Sequence, residues 1–372
     1  MRILSLFFLF ALPAEAQSWR VATSGMDTNL RGVSAAYAPD AKGTPVKAVW
    51  ASGSNGVILR SLDTGKTWKR LPVAGGDTLD FRAIVAFNAA TAYVMSSGEG
   101  EKSRIYKTTD GGESWTLQYT DNRKEFFLDA LACLSETHCY ALSDPLDGKF
   151  LLLTTTDGQH WNALPGGNLP AALPGEGAFA ASNTCLLLSG EEIFFGTGGP
   201  AARVFHSSDR GRTWAVSETP LAHGNASSGI FSIARADENE VVVVGGNYQD
   251  PQRASAVAAY SLDEGQTWQL SEQQPGGYRS ALACLHHALC VAVGPNGEDV
   301  SWSKIPAAGW KSTDSLNLNA VVILDLKNGW AVGPKGTIAR YIGNPRPPPL
   351  TSPVVGRTSR LPTEPGRYTL PR

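Results

Sequence analysis

Three arginines stand at matching places in the chain: Arg31 in Leu30-Arg31-Gly32-Val33, Arg82 in Phe81-Arg82-Ala83-Ile84, and Arg279 in Tyr278-Arg279-Ser280-Ala281. Each precedes a run of small and apolar residues that reads as a strand. Asn319 holds the equivalent place ahead of Ala320-Val321-Val322-Ile323-Leu324. A guanidinium presents a planar fork of donors suited to carboxylate and phosphate. Convergence of the three would therefore make a site for an anion or an acidic protein surface. The competing reading pairs them with Asp80, Glu125 or Glu176 on the rim.

A second set of candidates lies in loops longer and richer in glycine than hairpin closure needs. Ser143-Asp144-Pro145-Leu146-Asp147-Gly148-Lys149 is one; the segment 196–203, ending in Arg203, is another; Gly245-Gly246-Asn247-Tyr248-Gln249-Asp250-Pro251 is the third. With Glu176 and Tyr278 they complete the set of expected ligand or partner contacts. Two carboxylates across a cleft are what a glycosidase requires, and Asp144, Asp147 and Glu176 are available for that role. Surface loops also carry such residues without any catalytic use.

What must position these residues is a repeat. Ser61-Leu62-Asp63-Thr64-Gly65-Lys66-Thr67-Trp68 returns at 108–115, 207–214 and 261–268, and one residue shorter at 155–161. The invariant members are Asp63, Asp110, Asp157, Asp209 and Asp263 with Trp68, Trp115, Trp161, Trp214 and Trp268. The tryptophans fall roughly 42 to 54 residues apart, the period of a four-stranded propeller blade. In each copy the Asp can accept hydrogen bonds from amides a few residues on, the Gly can adopt a left-handed conformation, and the Trp offers a large apolar wedge. The unit thus reads as a staple between the third and fourth strands of a blade.

Units start near Gly32, Phe81, Phe126, Gly177, Ile230, Tyr278 and Leu318; the Tyr278 unit keeps only Trp302, Gly309 and Trp310 of the staple. The last unit stops after Thr337-Ile338-Ala339-Arg340-Tyr341 and lacks a fourth strand. Ser18-Trp19-Arg20-Val21-Ala22-Thr23 looks like Thr67-Trp68-Lys69-Arg70-Leu71 without a blade in front of it. The expected fold is all-β: a seven-bladed propeller over residues 17–343, closed by the N-terminal strand completing the last blade, with six or eight blades as the alternatives.

The repeated turn resembles the Asp-box, or bacterial neuraminidase repeat, Ser-x-Asp-x-Gly-x-Thr-Trp. The resemblance implies a fold rather than an activity, because sialidases, sortilin-like receptors and photosystem assembly factors all carry it on the face away from their ligands. Asn29-Leu30-Arg31-Gly32-Val33 and residues 330–338 further resemble blades of the photosystem II stability and assembly factor family. That resemblance implies a non-catalytic scaffold with an arginine patch that binds a partner protein. The rival is a glycoside hydrolase. A sialidase normally has Arg-Ile-Pro ahead of its first box, whereas Arg70-Leu71-Pro72 follows the first box here and Arg360-Leu361-Pro362 lies near the C-terminus.

The 372 residues carry a net charge of −2, which gives no reason to expect a nucleic-acid partner, and no stretch reaches transmembrane length. Met1 to Leu12 is an apolar run behind one Arg, and Ala14-Glu15-Ala16 is a small-x-small cleavage site. Residues 1–16 therefore read as a signal peptide, placing the chain in the periplasm or outside the cell. Cys133/Cys139 and Cys284/Cys290 repeat one spacing in one context, Leu-Ala-Cys-Leu, and are expected to form two disulfides of about 2 kcal/mol each. Cys185 is left as a buried thiol. The alternative is metal binding with His138, His286 or His287, though the spacing is not that of a zinc site. No metal and no cofactor is expected, and a monomer is. Residues 344–372, rich in Pro and Arg, read as an extended tail.

Overall fold

The computed structural model describes residues 19–23, 26–39, 45–165, 167–286, 288–302 and 309–342. The expected leader (1–16) and tail (344–372) lie outside these residues, as does His287. The chain forms seven antiparallel sheets arranged as the blades of a propeller. The helical content of the described residues is a 3-10 turn at Gly100–Lys102. Blades 1 to 7 open with Leu30–Pro39, Phe81–Ala86, Leu128–Cys133, Leu186–Ser189, Asn225–Arg235, Ala281–Leu285 and Ala320–Asp325.

A blade packs on both faces, so its middle strands are apolar throughout rather than alternating. Val241, Val242, Val243 and Val244 are all fully buried. Val241 and Val243 face blade 4, and Val242 and Val244 face blade 6, as the two-residue period of a strand dictates. The core is accordingly divided into seven apolar wedges, one at each blade interface. At roughly 1.5–3 kcal/mol per buried aliphatic side chain, these wedges carry the stability. The outermost strands, such as Lys69–Arg70, are short and exposed.

Trp19–Thr23 is the fourth strand of blade 7, paired antiparallel with Thr337–Tyr341 from Trp19 opposite Tyr341 to Thr23 opposite Thr337. Trp19 is buried and packs edge-on to Tyr341 at 5.3 Å. Its indole N–H donates to Glu298 of blade 6, so the closing strand is also fastened to a neighbouring blade.

The repeated turns share one set of bonds. In the first, the Ser61 hydroxyl donates to Asp63 Oδ1 at 2.8 Å and accepts from the Gly65 amide at 2.8 Å. The Thr67 amide and hydroxyl reach the two oxygens of Asp63 at 2.9 and 2.6 Å. In the short copy the His160 ring takes the place of the threonine hydroxyl. The Thr213 hydroxyl and amide, foremost, hold Asp209 down at about 2. Gly211 has φ +85°, and a Cβ there would lie 2.4 Å from Leu164 of blade 3, so the turn also locks adjacent blades.

Cys133–Cys139 and Cys284–Cys290 are disulfides joining directly opposed residues of the first two strands of blades 3 and 6. Cys185 is a buried free thiol whose pKa burial pushes up.

Blade 4 corrects the expected start at Gly177. Gly177 makes only an isolated bridge to Gly198, and the first strand begins at Leu186. Between them, residues 178–184 leave the blade. Ala178, Phe179, Ala180 and Ala181 line the channel cavity instead of pairing in a ladder, and Ser182, Asn183 and Thr184 bond to other blades.

Candidate functional site

The first strands of blades 1, 2, 3 and 5 each carry a β-bulge where they pass the channel, with the extra residue being Arg31 in blade 1, Arg82 in blade 2, Asp129 in blade 3 and Phe231 in blade 5. A bulge leaves one residue out of the ladder and re-aims its side chain. All four line one cavity of about 550 Å³, joined by Ser280 of blade 6 and Asn319 of blade 7. The cavity lies where first strands begin and second strands end, which is the face opposite the repeated turns.

Equivalence at these positions explains where Arg279 goes. The Leu30 amide bonds Gly333 and the Leu318 amide bonds Gly294, each the carbonyl at the end of the preceding blade's second strand; in blade 6 it is the Arg279 amide that bonds Gly245. Arg279 is thus the counterpart of Leu30, and Ser280 the counterpart of Arg31. A slip of one residue turns a side chain to the other face. Arg279 is 1% exposed and does not join the other two arginines. It donates Nε to Asp299 at 2.7 Å and Nη1 to Asn296 at 2.6 Å and to the Tyr278 carbonyl at 2.9 Å; Nη2 completes an ion pair with Asp299. Burial lowers its pKa, opposed by the charge of Asp299.

Arg31 and Arg82 do come together. Burial, then the charge of Arg82, lowers the pKa of Arg31, and its buried Nε has no hydrogen-bond partner. Arg82 donates Nε to Asp80 at 2.8 Å and Nη1 to the Ala180 carbonyl at 3.1 Å. The rim pairing with Asp80 foreseen as the competing reading therefore coexists with a shared arginine wall.

Asp129 and Asp144 form the adjoining wall. Asp129 is 1% exposed and neither of its oxygens meets a donor in good hydrogen-bond geometry; the nearby Asp144 amide, which helps to draw its pKa down, is directed to the Phe127 carbonyl at 3.0 Å. Burial, then the charge of Asp144, raises its pKa well above the carboxylate range, while Arg82 pulls it down. Asp144 accepts from the Ala178 amide at 2.9 Å, yet burial pushes its pKa up to about 6. The far wall is aromatic. Phe179 stacks on Phe231 with centroids 3.8 Å apart, and Tyr278 meets Phe231 edge-on at 4.7 Å. Tyr248, 48% exposed, borders the opening.

Residues 178–184 run beneath this cavity. Arg82 of blade 2 holds the Ala180 carbonyl, the Asn183 side chain accepts from the Leu131 amide of blade 3 at 2.6 Å, and Thr184 bonds Ser232 of blade 5 at 2.7 Å. Ser182 donates to the Ser280 carbonyl beside blade 6 at 2.7 Å. The segment thus bridges four blades across the channel.

The remaining candidates separate. Glu176 and Arg203 form a buried ion pair in which Arg203 Nε lies 2.9 Å from Glu176, and the Thr197 hydroxyl donates to the same carboxylate at 2.6 Å. Glu176 and Asp144 border a second cleft of about 650 Å³ that shares Asp144, Ala178 and Phe179 with the first. Asp147 and Lys149 are exposed and border a different, apolar crevice ending at Trp214. Asn247 shapes its own loop by accepting from the Gln249 amide at 2.9 Å. Asn319 clasps blade 7 to blade 1, donating to Asn29 at 2.6 Å and to the Leu30 carbonyl at 2.7 Å. Asp144, Asp147 and Glu176 therefore do not form one catalytic group. Among the described residues no cluster of three His, Cys, Asp or Glu side chains is placed to hold a metal ion. No helix among them is long and apolar enough to cross a membrane.

Asp129, Phe179 and Phe231 were not foreseen from the sequence. Alignment of Leu128-Asp129-Ala130 and Ile230-Phe231-Ser232 with Leu30-Arg31-Gly32 would have found two of them.

Comparison with known proteins is consistent with this architecture. Over 74 residues the chain is 36% identical to the photosystem II assembly lipoprotein Ycf48 of Synechococcus sp. (strain CC9902), a match spanning 19% of this chain and 20% of that relative. The chain thus spans about a fifth of the length of this curated relative. The structure of YCF48 bound to D1 peptide superposes with a TM-score of 0.62 at 15% identity, covering 89% of this chain and 99% of that one. YCF48 from Cyanidioschyzon merolae gives 0.60 at 13% identity, covering 87% and 99%. At such identities the structural likeness establishes the fold alone. The family model for the DUF6242 beta propeller domain matches residues 42–283, about two thirds of the chain, and the protein belongs to that family.

Proposed function

We propose that this propeller is an exported, non-catalytic scaffold that holds an acidic group of a partner protein at the channel mouth, in a role akin to that of the photosystem II assembly factors. The observation that carries this reading is the meeting of Arg31 and Arg82 in an open cavity, with Arg31 Nε buried and lacking an acceptor. A buried donor without a partner costs about 1–3 kcal/mol, and an incoming carboxylate would recover it. The structural relative YCF48, bound to D1 peptide, lends support as a protein of the same fold that takes a peptide ligand. The leader at 1–16 and the two disulfides fit export, and the repeated turns fit the Asp-box reading, which assigns them to scaffolding. The photosynthetic partner itself is not carried over.

The test is differential capture from periplasmic extract. The double variant R31E/R82E is expected to lose a partner that wild type retains. Arg212→Glu, an exposed change on the opposite face, should keep it, with near-UV circular dichroism showing all three proteins folded. Retention of every partner by R31E/R82E would sink the proposal.

One observation favours glycan hydrolysis as a second reading: Asp144, held at about 6 in an open cavity, could serve as a general acid. It predicts hydrolysis of some member of a glycan panel, falling at least a hundredfold in Asp144→Asn. Absence of turnover across the panel removes it.

A further inference from the structure

The cavity holds more carboxylate than an anion site has use for. Asp129 is buried on its wall with no side-chain donor on either oxygen and only the Asp144 amide nearby, and Asp144 beside it has one oxygen engaged by a backbone amide. Arg82, the cation that acts on Asp129, already gives Nε to Asp80 and Nη1 to a carbonyl. An unpaired buried carboxylate is costly, and none is needed to build a blade: the counterpart of Asp129 in blade 6 is Ser280 and in blade 7 Asn319.

Charge in the cavity is sorted by blade. Cations come from blades 1 and 2, carboxylates from blade 3, and aromatic faces from blade 5 and the Tyr278 segment. A site with an arginine pair, an acidic pair and an aromatic wall within about 550 Å³ is complementary to one residue bearing both charges and an aliphatic stem. The adjoining cleft of about 650 Å³ begins at Asp144 and Phe179 and offers room for the chain behind that residue.

We infer that the occupant is a basic C-terminal residue of a partner chain, its α-carboxylate on Arg31 and Arg82 and its Lys or Arg head group on Asp129 and Asp144. This assignment rests on the scaffold reading above and specifies the partner's chemistry.

Isothermal titration of the whole protein with Ac-Ala-Ala-Lys-OH, its norleucine analogue Ac-Ala-Ala-Nle-OH, Ac-Ala-Ala-Lys-NH2 and free L-lysine tests it. The lysine acid is expected to bind at least about tenfold more tightly than each of the other three, since each lacks one charge-assisted contact or the chain in the cleft. Asp129→Asn should abolish the preference of lysine over norleucine without weakening norleucine binding; Asp144→Asn serves as the second variant should Asp129→Asn not fold. Equal affinity for the lysine and norleucine acids overturns the inference, as does an unchanged preference in both variants. Free lysine binding as tightly as the peptide overturns the assignment to a chain terminus. If no peptide binds while the partner is still captured in an Arg31- and Arg82-dependent way, the inference falls and the scaffold reading stands. If that capture is also insensitive to both arginines, both fall.

Discussion

Arg279→Met is expected to destabilise the folded chain by about 3–5 kcal/mol, the usual consequence of removing one partner from a buried ion pair. Arg279 and Asp299 are each 1% exposed. Without the guanidinium, Asp299 keeps the Ser312 hydroxyl at 2.6 Å and the Gly276 amide, but its charge has no counterion. Arg279 would also no longer hold Asn296, which donates to the Pro251 and Gly276 carbonyls and so orders the loops around blade 6. The double variant R279M/D299N should recover most of the loss, because no buried charge remains. Urea denaturation of the two variants measures both effects. A single variant as stable as wild type would show that the pair is dispensable, and a double variant no better than the single one would locate the cost in packing rather than charge.

The second large effect is a dependence on pH. Glu298 is fully buried, and its pKa, ordinarily 4.5, is pushed up to about 7 by burial; the Trp19 bond opposes the shift, while Asp314 and Asp299 add to it. A carboxyl whose pKa is higher in the folded than in the unfolded state contributes stability that is fully present below 4.5 and is lost as pH rises through about 7. A difference of this size corresponds to about 3 kcal/mol between the two limits. Asp129 and Asp144 are shifted in the same direction and steepen the decline. The carboxylates of the repeated turns are shifted the other way, and their contribution disappears only as pH falls towards about 2. Thermal unfolding at fixed ionic strength should therefore show greatest stability in mildly acidic solution and a decline from pH 5 to pH 8. Glu298→Gln retains an acceptor for Trp19 and should raise stability at pH 8 while leaving pH 5 nearly unchanged. An equal gain at both pH values would mean that the carboxyl is not the titrating group.

The chain discloses what it repeats. The blade count, the closing strand at Trp19, the paired cysteines and the stapled turns are all written more than once or stand out against a repeated background. The site is written differently in every blade. Arg31 and Arg82 are alike enough to be noticed, whereas Asp129 and Phe231 occupy the same structural position with unrelated chemistry. Arg279 misled because a neighbour one residue away in sequence faces the other way, and only backbone pairing decides which of Arg279 and Ser280 enters the channel. Blade 4 was obscured for another reason. Ala178-Phe179-Ala180-Ala181-Ser182-Asn183-Thr184 resembles a strand in composition, but its bonding partners belong to blades 2, 3, 5 and 6.

That bridging segment turns the ring into a wheel with a hub. Blades in a ring joined only to their neighbours can splay at any seam, whereas here loads on opposite sides meet at Ala180 and Ser182. No one of the four joined blades can therefore loosen without breaking a hydrogen bond to a segment shared with the other three.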